Sequence, residues 1–426
     1  MKSAAHPAAK LVGQSERQNG LAHFEAVRAQ SAALAAPLSA EDQQVQSMPD
    51  VSPTKWHLAH TTWFFEEFLL KPNLAAYAPL DPAFGYLFNS YYEAVGPRHP
   101  RPERGLITRP SIAEVSAYRA HVDAAMRRLI ESADAEQWAA IAPLLELGCH
   151  HEQQHQELIL MDIKHVLSCN PLKPSYGAPV APAGPGAALR WISFPGGLRT
   201  IGHDGAGFAF DNEGPAHKVW LEPFKLASRL VTNGEYLGFI EDGGYQRPEF
   251  WLSDGWHAVN AQGWTAPLYW SLDEGTLFTL SGARAIEADE PVCHLSYFEA
   301  DAFARWAGKR LPREAEWETA ARTMPNGDGN SMGAGFYHPR PAQSEGLSQM
   351  SGDVWEWTQS AYSAYPRYRP AAGAIGEYNG KFMCGQFVLR GGACVTPEGH
   401  ARATYRNFFP PSARWAFSGL RLADDV

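Results

Sequence analysis

The chain reads as an α domain followed by an α+β domain, and three features carry that expectation. Apolar residues recur at helical spacing through residues 1–170. A stretch rich in Pro, Gly and Ala, 171–188, then breaks the pattern and reads as a linker. From 189 to 426 the apolar runs are short, Gly and Trp are frequent, and helical spacing returns clearly only over Tyr297–Ala307 and Arg313–Arg322. No internal repeat is found.

Four helices are expected in the first domain. The first covers about Gly20 to Ala35. The second runs from about Pro53 to Leu70, with Ser52 as its capping residue and Pro53 tolerated in the first turn. Residues 84–105 follow, aromatic and basic, with Pro and Gly at a density that excludes a helix. An ordered loop of that length is usually functional. The third helix opens on the capping box Ser111-Ile112-Ala113-Glu114 and ends near Ser132. The fourth has Pro143 near its start and carries His150-His151-Glu152-Gln153-Gln154-His155-Gln156-Glu157.

Residues four apart on a helix share a face about one turn apart, so His151 and His155 lie side by side with converging imidazoles. That geometry suits a metal ion. The plainer alternative is a solvated polar face. The apolar flanks (Leu144, Leu145 and Leu147 before, Leu158, Ile159 and Leu160 after) argue instead for a core, where unpaired polar groups are costly. Gln154 and Glu157 lie beside the histidine face, where they can hold a ligand or substrate. A third ligand is needed, and His60 is the best candidate: it shares an apolar face with Trp56, Trp63 and Phe64. His57 lies one position off that face, and it and His150 are the alternatives.

At 426 residues, with 45% hydrophobic and 12% aromatic content and 14 Trp, the chain has room for two or three domains with large cores. A net charge of −10 with no offsetting basic tract argues against non-specific nucleic-acid binding. No apolar run approaches a membrane span, and Met1–His6 lacks the apolar core of a signal peptide. Five scattered cysteines show neither disulfide nor zinc-finger spacing, so a reducing cytoplasm is the expected home.

Several motifs, in order, carry a resemblance. They are Phe194-Pro195-Gly196-Gly197, Asp211-Asn212-Glu213-Gly214-Pro215-Ala216-His217, Val231-Thr232-Asn233-Gly234-Glu235-Tyr236, Ala304-Arg305-Trp306-Ala307-Gly308-Lys309-Arg310-Leu311-Pro312, Glu314-Ala315-Glu316-Trp317-Glu318, Gly352-Asp353-Val354-Trp355-Glu356-Trp357 and Leu389-Arg390-Gly391-Gly392. Through them the second domain resembles the formylglycine-generating-enzyme (sulfatase-modifying-factor) family, which has a C-type-lectin-like fold. It departs where that family does its own chemistry. The paired cysteines after Gly391-Gly392 are missing, only Cys394 stands nearby, and Ala393 replaces an expected serine. Formylglycine generation is therefore not expected.

The first domain resembles the DinB-like four-helix bundles, whose members bind a divalent metal through three histidines. The two domains together resemble the ergothioneine-type sulfoxide synthases. Ser90-Tyr91-Tyr92-Glu93-Ala94-Val95-Gly96 and Tyr405-Arg406-Asn407-Phe408-Phe409-Pro410-Pro411 are similar to the second bacterial type, which accepts free cysteine rather than γ-glutamylcysteine. The resemblance implies Fe(II) held by His60, His151 and His155. It implies O2-dependent joining of a thiol sulfur to the imidazole carbon of hercynine, giving a sulfoxide.

Three neutral imidazoles leave the remaining iron positions open for substrates and O2. Tyr91 and Tyr92 are candidate proton donors, with loop anchoring an equal reading for either; Tyr365 and Tyr405 come next. Gln154 can hydrogen-bond the hercynine imidazole. Phe408, Phe409 and Trp415 can cage its quaternary ammonium beside Asn407, a donor for its carboxylate. Arg98, Arg101 and Arg104 suit the carboxylate of the thiol substrate, and the resemblance favours Arg101. The alternatives are a selenoneine synthase taking selenium from a selenosugar, a histidine–cysteine sulfoxide synthase, a zinc- or nickel-dependent thiol transferase, and a lectin-like binding module with a vestigial bundle. The intact histidine triad weighs against the last.

Overall fold

The computed structural model describes residues 7–182, 184–324 and 329–426. Met1–His6, read above for targeting, and Ala183 of the linker lie outside the described residues. The chain divides into two compact units, residues 1–166 and 167–426.

The first unit is helical. Its long elements are α1 (Pro7–Ala35), α2 (Thr54–Phe65), α5 (Ile112–Ser132) and α6 (Ala135–Cys169); α3 (Lys71–Asn73) and α4 (Phe84–Phe88) are short. The first helix begins well before Gly20, correcting the sequence expectation. Gly20 is a packing site and not a boundary: a Cβ there would lie 2.7 Å from the Trp138 ring of α6. Helix α2 is buried on all sides and continues into a π-helical turn, Glu66–Leu70. Its expected cap is not made. The Ser52 hydroxyl accepts from Arg104 Nη1 at 2.9 Å, and its N–H donates to Asp162 Oδ2 at 2.8 Å.

The aromatic stretch is not free of helix either. Phe84 and Phe88, four apart, both pack on Tyr118 (ring centroids 4.8 and 6.3 Å), which draws one short turn of helix out of the loop. A 3₁₀ turn, Arg101–Leu106, closes the same loop. The capping box forms at Ser111 and Glu114. Pro143 lies inside α6 and not at its edge.

The second unit holds small sheets and four further helices among the described residues, two more than expected: α7 (Asn233–Glu241), α8 (Ser253–Gln262), α9 (Tyr297–Trp306) and α10 (Glu314–Ala321). The signal for α7 was the Thr232/Glu235 capping box, concealed inside a short polar motif. Strands β8 (Trp355–Ala361), β9 (Phe387–Arg390), β10 (Asn407–Phe409) and β11 (Ser418–Gly419) form one sheet in the order β10-β9-β8-β11. β1 (Trp191–Phe194), β4 (Phe224–Ala227) and β12 (Ala423–Asp425) form another, in the order β1-β4-β12, while β2 (Gly197–Ile201) pairs with β3 (His217–Leu221) and β6 (Thr276–Thr279) lies between β5 (Trp270–Ser271) and β7 (Gly282–Ala285). Phe194, Leu221, Phe224, Leu226 and Trp317 fill the core beside the second sheet. Among the described residues no helix is long and apolar enough to cross a membrane.

Candidate metal centre

Two helices of the first unit build the centre. Helix α2 supplies His60, whose ring lies between Trp56 (4.6 Å, 11° between planes) and Trp63 (5.6 Å, 15°), one turn to either side. His60 Nδ1 donates to the Phe88 carbonyl at the end of α4, 2.6 Å away. Its Nε2 is buried without a hydrogen-bond partner. Helix α6 supplies His151 and His155, with ring centroids 4.7 Å apart. Their rings lie 5.0 and 4.8 Å from that of His60. Gly148 lets α6 approach α2, since a Cβ there would lie 2.5 Å from the Phe65 ring.

One ring nitrogen from each of His60, His151 and His155 lies within 4.8 Å of the others. No other such group of His, Cys, Asp or Glu occurs among the described residues. Burial, followed by repulsion from neighbouring imidazoles, holds the His60 and His155 pKa values well below the ordinary histidine range. Burial holds His151 at about 3, although Glu152 pulls it upward. All three rings are therefore neutral at pH 7, the form that binds a metal.

The side chains between the histidines do other work. Glu152 is fully buried and faces arginines: it accepts from Arg28 Nη1 of α1 at 2.8 Å and from Arg119 Nη2 of α5 at 3.1 Å. Gln156 donates to the Val27 carbonyl of α1 at 2.9 Å. These contacts set the rotation of α6, which aims the histidines. Gln154 is half-buried and Glu157 buried on the same helix. His57 lies outside the cluster. Its Nδ1 is 2.8 Å from His155 Nδ1, and its Nε2 is 3.0 Å from Asp162 Oδ2.

The loop before α5 sorts its own candidates. Tyr92 is fully buried and packs on Trp63, Phe64 and Phe68, while Phe64 in turn lies 4.8 Å from His151. Tyr91 is half-buried and stacks on Tyr92 at 4.6 Å. Arg98 is exposed and paired with Glu93. Arg101 is exposed and donates to the Asp50 carbonyl. Arg104 is the buried arginine. Its guanidinium lies 3.4 Å over the Trp56 ring and donates to Ser52 and Ser90.

Comparison with known proteins agrees with this architecture. The DinB superfamily model matches residues 23–159, and the sulfatase-modifying factor enzyme 1-like domain model matches 181–345 and 326–426. Hercynine oxygenase of Mycolicibacterium thermoresistibile is 35% identical over 417 residues, covering 89% of this chain and 88% of that protein. The chain belongs to the hercynine oxygenase family. Hercynine oxygenase of Mycolicibacterium smegmatis is 33% identical, with 89% and 93% covered. Formylglycine-generating enzyme of Streptomyces coelicolor is 29% identical over 58% of this chain. Membership of the hercynine oxygenase family makes the chain an oxidoreductase.

In this family member the second-unit candidates fall on two faces of one strand. Side chains alternate along β10, so Phe408 points opposite to Asn407 and Phe409. Phe408 stacks on Tyr362 at 4.1 Å, whereas Phe409 meets Trp415 edge-on at 5.5 Å. Of the three rings expected to form a cage, Phe409 and Trp415 meet, and Phe408 lies on the opposite face of the strand. Trp415 is buried, and its Nε1 has no hydrogen-bond partner. Tyr365 accepts from Arg390, and Tyr405 lies within hydrogen-bond reach of His400, so both fallback phenols are held inside the second unit.

Proposed function

We propose that the chain is a non-haem Fe(II) enzyme that uses O2 to join a thiol to the imidazole carbon of hercynine. The reaction is RSH + hercynine + O2 → hercynyl sulfoxide + H2O: a C–S bond forms, and one oxygen ends on sulfur and the other in water. The observation that carries this reading is the buried three-imidazole cluster, with His60 Nε2 left without a protein partner. The two hercynine oxygenases described above, similar along nearly the whole chain, support the substrate. The donor set fits iron, since imidazole binds iron as it binds zinc, copper and nickel.

His60, His151 and His155 hold the iron, which supplies O2 binding and reduction. Trp56 and Trp63 flank His60 and keep water from that side of the centre. Tyr92, or Tyr91 stacked on it, holds the phenolic proton that the reduction of O2 requires. Gln154 orients the hercynine imidazole. Arg98 and Arg101 are the cations for the thiol substrate's carboxylate. Cysteine is the proposed thiol, on the resemblance to the second bacterial type.

The test is anaerobic reconstitution with Fe(II), then addition of O2 with hercynine and one donor: cysteine, γ-glutamylcysteine or a selenosugar. Mass spectrometry should find the hercynyl–cysteine sulfoxide. Product only with the selenosugar would move the reading to selenoneine formation, and no hercynine-derived product with any donor would overturn it. Tyr92→Phe and Tyr91→Phe test the proton donor. The effective variant should bind hercynine normally and lose about 10²–10⁴-fold in rate.

A further inference from the structure

We infer that His57 and Asp162 are positioning residues: a hydrogen-bonded relay, Asp162–His57–His155, fixes the tautomer of His155 so that its Nε2 lone pair faces the metal. This rests on the metal reading above and adds a role for residues outside the ligand set. Two ring nitrogens 2.8 Å apart, His57 Nδ1 and His155 Nδ1, share one hydrogen and one lone pair. The other His57 nitrogen, Nε2, lies 3.0 Å from Asp162 Oδ2. That oxygen also accepts the Ser52 N–H at 2.8 Å, so it is an acceptor toward both neighbours. His57 Nε2 therefore carries the hydrogen, and a His57 ring with that one hydrogen accepts at Nδ1. His155 Nδ1 then carries its own hydrogen, and the lone pair of His155 is left on Nε2.

The reverse order of protons would run from a protonated Asp162 through His57 and leave a hydrogen on His155 Nε2, where it would block a metal bond. The Ser52 N–H opposes that order. All three relay residues are buried, so water does not substitute for any link. The relay also spans both ligand helices. His57 is three residues before His60 on α2, and Asp162 is seven residues after His155 on α6, on nearly the same face. His60 and His155 are thus supported unequally. A neutral backbone carbonyl holds His60 Nδ1, whereas a carboxylate acts on His155 through an intervening imidazole, which strengthens His155 as a donor.

The probe is Co(II) added to the metal-free full-length protein, read by affinity and by visible ligand-field absorption. His57→Phe keeps the ring volume and removes both hydrogen bonds; Co(II) affinity should fall about 10–100-fold, with an altered spectrum. His57→Gln places an amide oxygen toward His155 and an amide NH2 toward Asp162, and should recover most of the affinity and the native spectrum. Asp162→Asn keeps an oxygen for Ser52 and His57 but removes the charge, giving a smaller loss and a shifted absorption. Thermal unfolding of each metal-free variant separates these effects from loss of fold. Wild-type affinity and spectrum in His57→Phe would overturn the relay, as would a Gln variant as weak as Phe at equal stability. Should the Phe variant fail to fold, Asp162→Asn decides, and no change in either readout overturns the proposal. A wild-type protein that takes up no Co(II) overturns the metal reading itself, which is a distinct result.

Discussion

The imidazole cluster of the first unit and the arginine core of the second both bury polar side chains, but only the arginine core is closed by opposite charge. In the second unit each deeply buried guanidinium meets a carboxylate. Arg390 and Arg406 both reach Glu314 at 2.9 Å, and Arg421 reaches Glu356 at 2.9 and 3.1 Å while donating to three backbone carbonyls. The first unit has its own closed network, Arg28 and Arg119 around Glu152. Beside it the three ligand imidazoles face each other with no counter-charge in the cluster, and one nitrogen of His60 has no partner. Arg390 Nε is also buried without a partner, so it is the convergence of three imidazoles with no opposite charge among them, and not one unpaired nitrogen alone, that marks the place of a ligand.

The largest expected effect tests the open cluster. His60→Ala, His151→Ala or His155→Ala should each abolish iron retention and turnover, measured by metal analysis of the purified protein, with the far-ultraviolet circular dichroism little changed. Iron retained at the wild-type level in His60→Ala would show that the third ligand had been misassigned.

The closed network should respond in stability and not in metal content. Arg421→Met leaves Glu356 buried without its partner and should cost about 3–5 kcal/mol in urea unfolding. A loss under about 1 kcal/mol would mean that the pair is not the structural tie described here.

A smaller effect separates the two regions within one sample. Iron at a hundred times its Kd should stabilise the first unit by about 2.7 kcal/mol, and should not stabilise the His60→Ala variant. Equal stabilisation of both proteins would place the binding elsewhere. The smallest effect belongs to an exposed pair, Arg190 with Glu345, whose side chains are 59% and 64% accessible. Arg190→Ala should change stability by about 0–1 kcal/mol, a baseline for reading the Arg421 result.

Helix pitch alone put His151 and His155 on one face, and the capping box alone placed the start of α5, because both depend on residues within one turn of each other. Composition and the punctuation of Pro and Gly were enough for an α domain followed by an α+β domain. The order of motifs along the second domain carried the family. What lay beyond was decided by contacts between segments distant in the chain. Gly20 looked like a helix boundary until Trp138, more than a hundred residues away in sequence, was seen to occupy its missing side chain. Ser52 has the chemistry of a cap, but Arg104 and Asp162 take its polar groups. Arg101 and Arg104 are alike in sequence, and only the Trp56 ring and two serines select Arg104 for burial. Phe408 and Phe409 adjoin in the chain yet part across a strand. His57 stands outside the imidazole cluster and its two nitrogens face Asp162 and His155, pairings made across two helices that no local spacing encodes.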